Sequence, residues 1–367
     1  MCDLIRHSQS ESWKSPCADS STRVFYYCTP TSSRPSPQSA SSSSDAYSDE
    51  SVLGTSPHED FTSFYISPLR CAEYVLRSSS PSTSISLFSR QCEPPSIEPP
   101  RVLGAGGFGR VTLSSYNKKS VALKQVRGTG STQQRLLGRE LLAFLVPASP
   151  FVVSALGFTV TESCFHVMSE LVDGGNLQSL LDSDDCLVEN ELKMDAIHQI
   201  ASALAHCHSF SILHLDVKPS NVLFVKATRS FKLADFGCSM IGRREQVARG
   251  EGIIELLCCP DHERLVGGTI PYQAPEIFKK SGVCCRSDVY SLGICAWHIL
   301  TGITPFFRLD RHFVVYTVVK NGTRPNIDLI GPPFDPFREL LPILWSPDAL
   351  SRPSSVEVLQ MIANLCL

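Results

Sequence analysis

Residues 212–223 read Ile212-Leu213-His214-Leu215-Asp216-Val217-Lys218-Pro219-Ser220-Asn221-Val222-Leu223, and nine residues further on comes Lys232-Leu233-Ala234-Asp235-Phe236-Gly237. Upstream, Met194, Ile197, Ile200, Ala201, Leu204 and His208 recur at helical spacing, and downstream Val222–Val225 is β-prone. Asp216 therefore falls in a loop between a long amphipathic helix and a strand, where its carboxylate can accept a proton from a hydroxyl. Asn221 and Asp235 carry the hard oxygens that suit Mg²⁺ bridging nucleotide phosphates. The order H-x-D-x-K-x-x-N, then D-F-G, then Ala274-Pro275-Glu276 has a negligible chance of arising at random.

Working back toward the N-terminus, Val102-Leu103-Gly104-Ala105-Gly106-Gly107-Phe108-Gly109-Arg110-Val111 contains G-x-G-x-x-G. A dinucleotide site would need a helix next and an acidic residue about 20 positions on. Instead the chain continues with the alternating run Arg110–Ser114, the turn Tyr116-Asn117-Lys118-Lys119 and the strand-like Val121-Ala122-Leu123-Lys124, so the pattern predicts an antiparallel β-meander. A glycine loop there lays N–H groups over phosphates, Phe108 at its tip can exclude water, and Lys124 can reach phosphate oxygens. A plain Gly-rich hairpin with a solvated lysine fits this segment alone equally well. Leu137, Leu141, Phe144 and Leu145 then share one expected helical face, with Glu140 beside them and able to hold Lys124 in register.

Composition changes near residue 95. Roughly a quarter of residues 1–100 are Ser, with many Pro and few branched apolar residues, which is the composition of disorder. Val24–Tyr27, Phe61–Ile66 and Tyr74–Leu76 are apolar islands too short for a core but able to dock on a folded part. The net charge of −3 and mixed signs exclude a basic nucleic-acid footprint, and no run reaches the roughly 18–20 apolar residues of a membrane span. MCDLIRHSQS lacks the apolar run of a secretory signal, and Cys2 excludes N-myristoylation. The 15 scattered cysteines then read as reduced thiols of a cytoplasmic chain. The doublets Cys258-Cys259 and Cys284-Cys285 lack zinc-knuckle spacing and are expected to be small buried hydrophobes.

Together these motifs resemble the eukaryotic protein kinases, serine/threonine type, over essentially all of residues 97–367. The resemblance implies an α+β, bilobal protein kinase fold: a small β-rich N-lobe over about 95–170 and a larger, mainly helical C-lobe over about 174–367. A disordered Ser/Pro-rich regulatory tail, 1–94, precedes it. It further implies that ATP and Mg²⁺ are the cofactors. Asp216 would be the catalytic base with Lys218 beside it, and Asn221 and Asp235 the metal ligands. Nucleotide contacts would come from Leu103, Gly104, Ala105, Gly106, Gly107, Phe108, Gly109, Val111, Ala122, Lys124, Glu140, Ser169 and Leu223. Ser169 would stand at the gatekeeper position behind adenine, unless the register slips by one and Met168 stands there. Thr269 would hydrogen-bond near Asp216, Glu276 and Arg352 would form a buried ion pair, and Asp288 would brace the catalytic loop.

Within that family, Lys124-Gln125-Val126, His214-Leu215-Asp216, Asp235-Phe236-Gly237-Cys238-Ser239, Gly267-Gly268-Thr269 and Tyr316-Thr317-Val318-Val319 are similar to the Mos kinases. That likeness implies a protein substrate, MAP kinase kinase, in a cascade serving oocyte meiotic maturation and arrest. It goes with a monomer having no nucleic-acid or membrane partner. Another kinase with a different substrate, or a silent pseudokinase scaffold, are the alternatives; the complete set Lys124, Glu140, Asp216, Asn221 and Asp235 argues against silence. Leu215 stands where many kinases carry a phosphate-binding Arg, and residues 240–268 contain no Ser, Thr or Tyr. The expectation is an enzyme active on synthesis, its activation segment held by fixed ion pairs among Glu251, Glu255, Glu263, Arg243, Arg244, Arg249 and Arg264 and, chiefly, by Ile253, Ile254, Leu256 and Leu257. Six Ser/Thr-Pro pairs in the tail, Ser15-Pro16 to Ser80-Pro81, are candidate sites for proline-directed kinases.

Overall fold

Alternation builds the first lobe. Val102–Gly106 (β2), Gly109–Tyr116 (β3) and Lys119–Arg127 (β4) form the expected antiparallel meander, and Ala155–Val160 (β5) and Cys164–Glu170 (β6) extend it. The computed structural model describes residues 25–26, 101–106, 109–116, 118–127, 136–160, 164–183, 188–249, 252–259 and 267–365. Gly107, Phe108 and nearly all of the tail, with its Ser/Thr-Pro pairs, lie outside these. Phe25–Tyr26 (β1), from one of the apolar islands, pairs along β5, and the strand order is β1-β5-β6-β4-β3-β2.

The pleat divides the sheet's side chains. Val121, Leu123 and Met168 pack together on one face. Val126, Phe165 and Val167 meet Leu137, Leu141 and Phe158 on the other. The expected helical face over Leu137–Leu145 is only partly right. Residues 136–140 are α-helical, but Leu141–Leu145 tightens to a 3₁₀ turn. Pro147 explains the stop, because it forces Val146 into extended backbone (φ −89°, ψ 113°). The shorter repeat turns Leu142 and Leu145 toward the second lobe, away from Leu137 and Leu141.

The second lobe is built on two helices, Asn190–Ser209 (α2) and Cys285–Thr301 (α4). The periodic residues of α2 behave as expected: Ile197, Ile200, Ala201 and Leu204 are buried. Residues 285–300 of α4 are buried on every side, which makes it the centre of the lobe. The remaining helices are Leu177–Leu181 (α1), Pro275–Lys279 (α3), Arg311–Lys320 (α5), Phe337–Leu344 (α6) and Ser355–Leu365 (α7). Two short ladders carry the loops between the lobes: Ile212–Leu213 (β7) with Met240–Ile241 (β10), and Val222–Val225 (β8) with Ser230–Leu233 (β9). The bilobal, α+β kinase architecture is thus present. Among the described residues no helix is long and apolar enough to cross a membrane.

The segment after Asp235-Phe236-Gly237 folds into a hairpin, Arg243–Arg249 (β11) with Gly252–Cys259 (β12). Its return strand pairs with Val283–Cys284 (β13), directly ahead of α4. Cys258 lies opposite Cys284, so the two cysteine doublets meet. Cys259, Cys284 and Cys285 are buried, and among the described residues they join no group of three or more His, Cys, Asp or Glu placed to hold a metal ion. Burial pushes the Cys284 thiol up to about 12. These cysteines pack as small hydrophobes with Leu213, Leu215, Met240, Leu256, Leu257 and Val283.

Candidate active site

Register places the first group of side chains. Val111 lies opposite Lys124, Leu113 opposite Ala122, and Ala122 opposite Ser169. Directly opposed residues of an antiparallel pair share a face, so Val111, Ala122, Lys124 and Ser169 all look into the cleft between the lobes. Met168 points the other way, into the packing of Val121 and Leu123. Leu103 and Ala105 lie on β2 at the rim of the cleft, and Leu223 on β8 contributes from the second lobe, bridged to Asn176. Gly109 turns the chain with φ +132°, and a Cβ there would stand 2.2 Å from the Gln125 carbonyl oxygen. Only glycine fits.

Lys124 reaches across this face. Its Nζ donates to Glu140 Oε1 and, at 2.7 Å, to Asp235 Oδ1. Burial opposes charge on the ammonium, but the two carboxylates more than offset it and hold its pKa above the ordinary lysine range. Burial pushes the Glu140 carboxyl up to about 7, while Lys124 pulls it down. For Asp235 burial also opposes charge, yet Lys124 and the Gly237 N–H hold its pKa below the usual carboxylate range. Of two carboxyls sharing one ammonium, Asp235 keeps its charge more firmly. Its Oδ2 has no hydrogen bond among the described residues.

A second triangle lies on the other side of the cleft floor. Lys218 Nζ donates to Asp216 Oδ2 at 2.8 Å and to Thr269 Oγ1 at 2.6 Å, and Thr269 Oγ1 donates to Asp216 Oδ1 at 2.9 Å. Asn221 Nδ2 donates to the Asp216 carbonyl (2.9 Å) and to its Oδ2 (3.0 Å), leaving the amide oxygen of Asn221 turned from this network. The loop itself is braced from α4: Asp288 accepts from the N–H groups of His214 (2.8 Å) and Leu215 (2.7 Å), and pairs with His208 Nε2 at 2.9 Å. That brace matters because Leu215 sits at φ +62°, which costs a β-carbon-bearing residue about 1–2 kcal/mol. Glu276 and the fully buried Arg352 form a bidentate pair at 2.7 and 2.8 Å.

The hard oxygens of Asp235 and Asn221 suit a magnesium ion. No cluster of three or more acidic, His or Cys ligands exists among the described residues to cage one by protein alone, so the donor set fits an ion completed by phosphate oxygens and water. A cavity of about 720 Å³ lies away from these groups, beneath β12, lined by Leu256, Cys258, Val283 and Leu350 among others. No side chain of the Lys124 or Asp216 networks reaches it; the chemistry sits in the open cleft.

Three features were not read from the sequence. Glu170, the residue after Ser169, accepts two bonds from Lys232 Nζ (2.7 and 2.8 Å) and one from the Ser154 N–H, tying the lobes together. Charge type alone could not pair residues so far apart in the chain. Gly174 packs against β8, where a Cβ would meet the Phe224 carbonyl oxygen at 2.0 Å; the Gly174-Gly175 doublet was its only trace. Tyr272 hydrogen-bonds buried His298 of α4 at 2.8 Å. Of the activation-segment expectations, Leu256 and Leu257 are buried and Arg244 pairs with Glu255 in an exposed 2.6 Å contact. Glu251, Glu263, Arg264 and the side chains of Ile253 and Ile254 lie outside the described residues.

The chain matches the family "Protein kinase domain" over residues 97–362. It is 33% identical over 267 residues to the serine/threonine-protein kinase mos of Patiria pectinifera, covering 70% of this chain and 72% of that one. It is 30% identical over 282 residues to its namesake of Xenopus laevis (72% and 74% covered). To the human mitogen-activated protein kinase kinase kinase 7 it is 27% identical over 277 residues, 73% of this chain and 42% of that one.

Proposed function

Since the chain belongs to the protein kinase family, as a relative of the Mos serine/threonine kinases, we propose that it transfers the γ-phosphate of ATP to Ser or Thr hydroxyls of a MAP kinase kinase. The observation that carries this reading is the Asp216–Lys218–Thr269 triangle facing the Lys124–Glu140–Asp235 chain across one cleft. Phosphoryl transfer asks a protein chiefly for positioning and charge stabilisation, and these two networks supply both.

When bound, Mg·ATP supplies the phosphoryl group and the positive charge that stabilises its departure. Lys124 would grip the α- and β-phosphate oxygens, fixed in reach by Glu140. Asp235 and Asn221 would hold the metal. Asp216 orients the acceptor hydroxyl and takes its proton, while Lys218 keeps the base's charge balanced and Thr269 fixes its rotamer. Val111, Ala122 and Leu223 would enclose adenine, with Ser169 behind it at the gatekeeper position. The complete networks favour an active enzyme over a scaffold. The MAP kinase kinase substrate is supported by the Mos relatives and by a relative whose name states that it phosphorylates MAP kinase kinases. Service in oocyte meiosis, a cytoplasmic site of action and a regulatory tail over residues 1–94 belong to the same proposal.

The test is transfer of labelled γ-phosphate to purified, kinase-dead MAP kinase kinase by the full chain. Asp216→Asn should lower turnover by about 10²–10⁴-fold with ATP binding nearly intact. Equal turnover in that variant would sink the catalytic assignment. Activity on other proteins but none on MAP kinase kinase would sink the substrate.

A further inference from the structure

Four cysteines converge where the activation hairpin meets the second lobe. Cys258 and Cys259 end β12, and Cys284 and Cys285 lie at the junction of β13 and α4. The register sets Cys258 directly opposite Cys284, and Cys259 opposite Val283. Cys284 gives its own N–H to Ser287 Oγ at 3.3 Å, so it does not exchange N–H bonds with Cys258. Opposed residues of that kind stand with their Cα atoms about 4.5 Å apart, within the roughly 4.4–6.8 Å that a disulfide bridges. Both are thiols in this structure.

An oxidant can reach this pair. Cys258 is half-buried, and with Cys284 it lines the cavity of about 720 Å³ beneath β12, whereas Cys285 is outside the cavity wall. A cavity of that size admits a small molecule. Burial and then Glu245 hold the Cys258 thiol up at about 11, and burial holds Cys284 up at about 12. Thiols kept protonated react slowly, so this pair outlasts brief oxidation and responds to a sustained one.

The consequence falls on the hairpin, which two residue pairs alone join to β13. The chain between Cys258 and Cys284 carries Thr269, bonded to Asp216 and Lys218, and Glu276, paired with Arg352. Residues 240–268 contain no Ser, Thr or Tyr, so no hydroxyl there can take a phosphate that would fix the segment. We propose that Cys258 and Cys284 form a reversible disulfide that clamps the activation hairpin to the second lobe in its working position. The Cys258 thiolate attacks a low-molecular-weight disulfide such as oxidised glutathione, whose S–S bond breaks to release one glutathione thiolate, which takes up a proton. The Cys284 thiolate then attacks Cys258 Sγ and expels the second glutathione in the same way. Two protein thiols are oxidised, and one glutathione disulfide is reduced to two thiols. Because the pair is already in register, closure asks little of the backbone and leaves the catalytic networks in place.

The test incubates the full chain with oxidised glutathione, alkylates the remaining thiols and maps non-reduced peptides by mass spectrometry. A peptide linked from Cys258 to Cys284 should appear, and dithiothreitol should remove it. The linked protein should melt about 5–10 °C higher than the reduced one. Trypsin should cut after Arg243, Arg244 and Arg249 about tenfold more slowly, with turnover held within about twofold. Cys284→Ser keeps a good N-cap for α4 and should abolish the link and both shifts, while Cys285→Ser should keep them. A lasting glutathione adduct on Cys258 with no link, or a link lost in Cys285→Ser but not in Cys284→Ser, overturns the pairing. A link that leaves melting and cleavage unchanged, or that lowers turnover, overturns the clamp.

Discussion

Leu215 offers the sharpest perturbation. It is 3% exposed, packed with Leu213, Cys238, Met240, Leu256 and Leu257, so it joins the catalytic loop to the hairpin of the activation segment. Leu215→Ala should cost about 2–5 kcal/mol, as buried leucine truncations do. The backbone makes a second comparison possible. At φ +62°, glycine would relieve about 1–2 kcal/mol of strain and lose about 0.5–1 to chain entropy, so Leu215→Gly should be at least as stable as Leu215→Ala. Leu215→Arg forfeits the apolar burial, about 2 kcal/mol, and desolvates a guanidinium among Leu213, Met240, Leu256 and Leu257 for several more. Urea midpoints should fall in the order wild type, Gly, Ala, Arg. Turnover of phosphatase-treated protein should equal that of untreated protein, and Leu215→Arg should not raise it. An arginine variant as stable as wild type, or one that phosphorylation activates, would refute the idea that apolar packing replaces a phosphate clamp here.

Ser169→Met should weaken ATP-site inhibitors carrying bulky groups behind adenine and leave KM for ATP within about twofold; equal inhibition of both proteins would remove Ser169 from that position. Burial holds His298 near 4, below its ordinary 6.5, so the folded state favours the neutral ring. Its contribution is complete above pH 6.5 and lost as pH falls toward 4, about 3 kcal/mol in all. His298→Gln should flatten the stability–pH curve across that window, and an unchanged slope would contradict the assignment. Arg352→Met strands Glu276 and should cost about 3–5 kcal/mol, much of it recovered by adding Glu276→Leu. Calorimetry showing independent, additive losses would mean the pair is not coupled.

What the sequence made legible was whatever chemistry demands at fixed spacing. His214 to Asn221 and Asp235 to Gly237 lie in short loops whose residue types have few alternative uses, and Asp288, Glu276 and Arg352 stand where the motif order put them. Helix α2 was visible because one face is buried and the 3.6-residue period survives. The helical face through Leu145 failed because a single proline, not periodicity, sets where that helix tightens. The activation hairpin was invisible for another reason. Its strands are held by pairing with Val283–Cys284, a contact between distant segments that leaves no local pattern, and β11 is mostly exposed and charged. The apolar character of Leu256 and Leu257 could be read, but not the sheet that uses it.

The brace on Leu215 also sets a schedule for synthesis. Asp216 leaves the ribosome well before Asp288, which holds its loop, and about 140 residues before Arg352, which holds Glu276; at about 5–20 residues per second that is a wait of roughly 7–30 s. Until Asp288 emerges the strained turn at Leu215 has no carboxylate to pin it, and until Val283–Cys284 emerge β12 has no β13 to pair with. A chain that needs no later modification to work would therefore still be inert while it is being made. A truncated product ending before Arg352 would carry Lys124, Glu140, Asp216, Asn221 and Asp235 but leave Glu276 without its guanidinium partner.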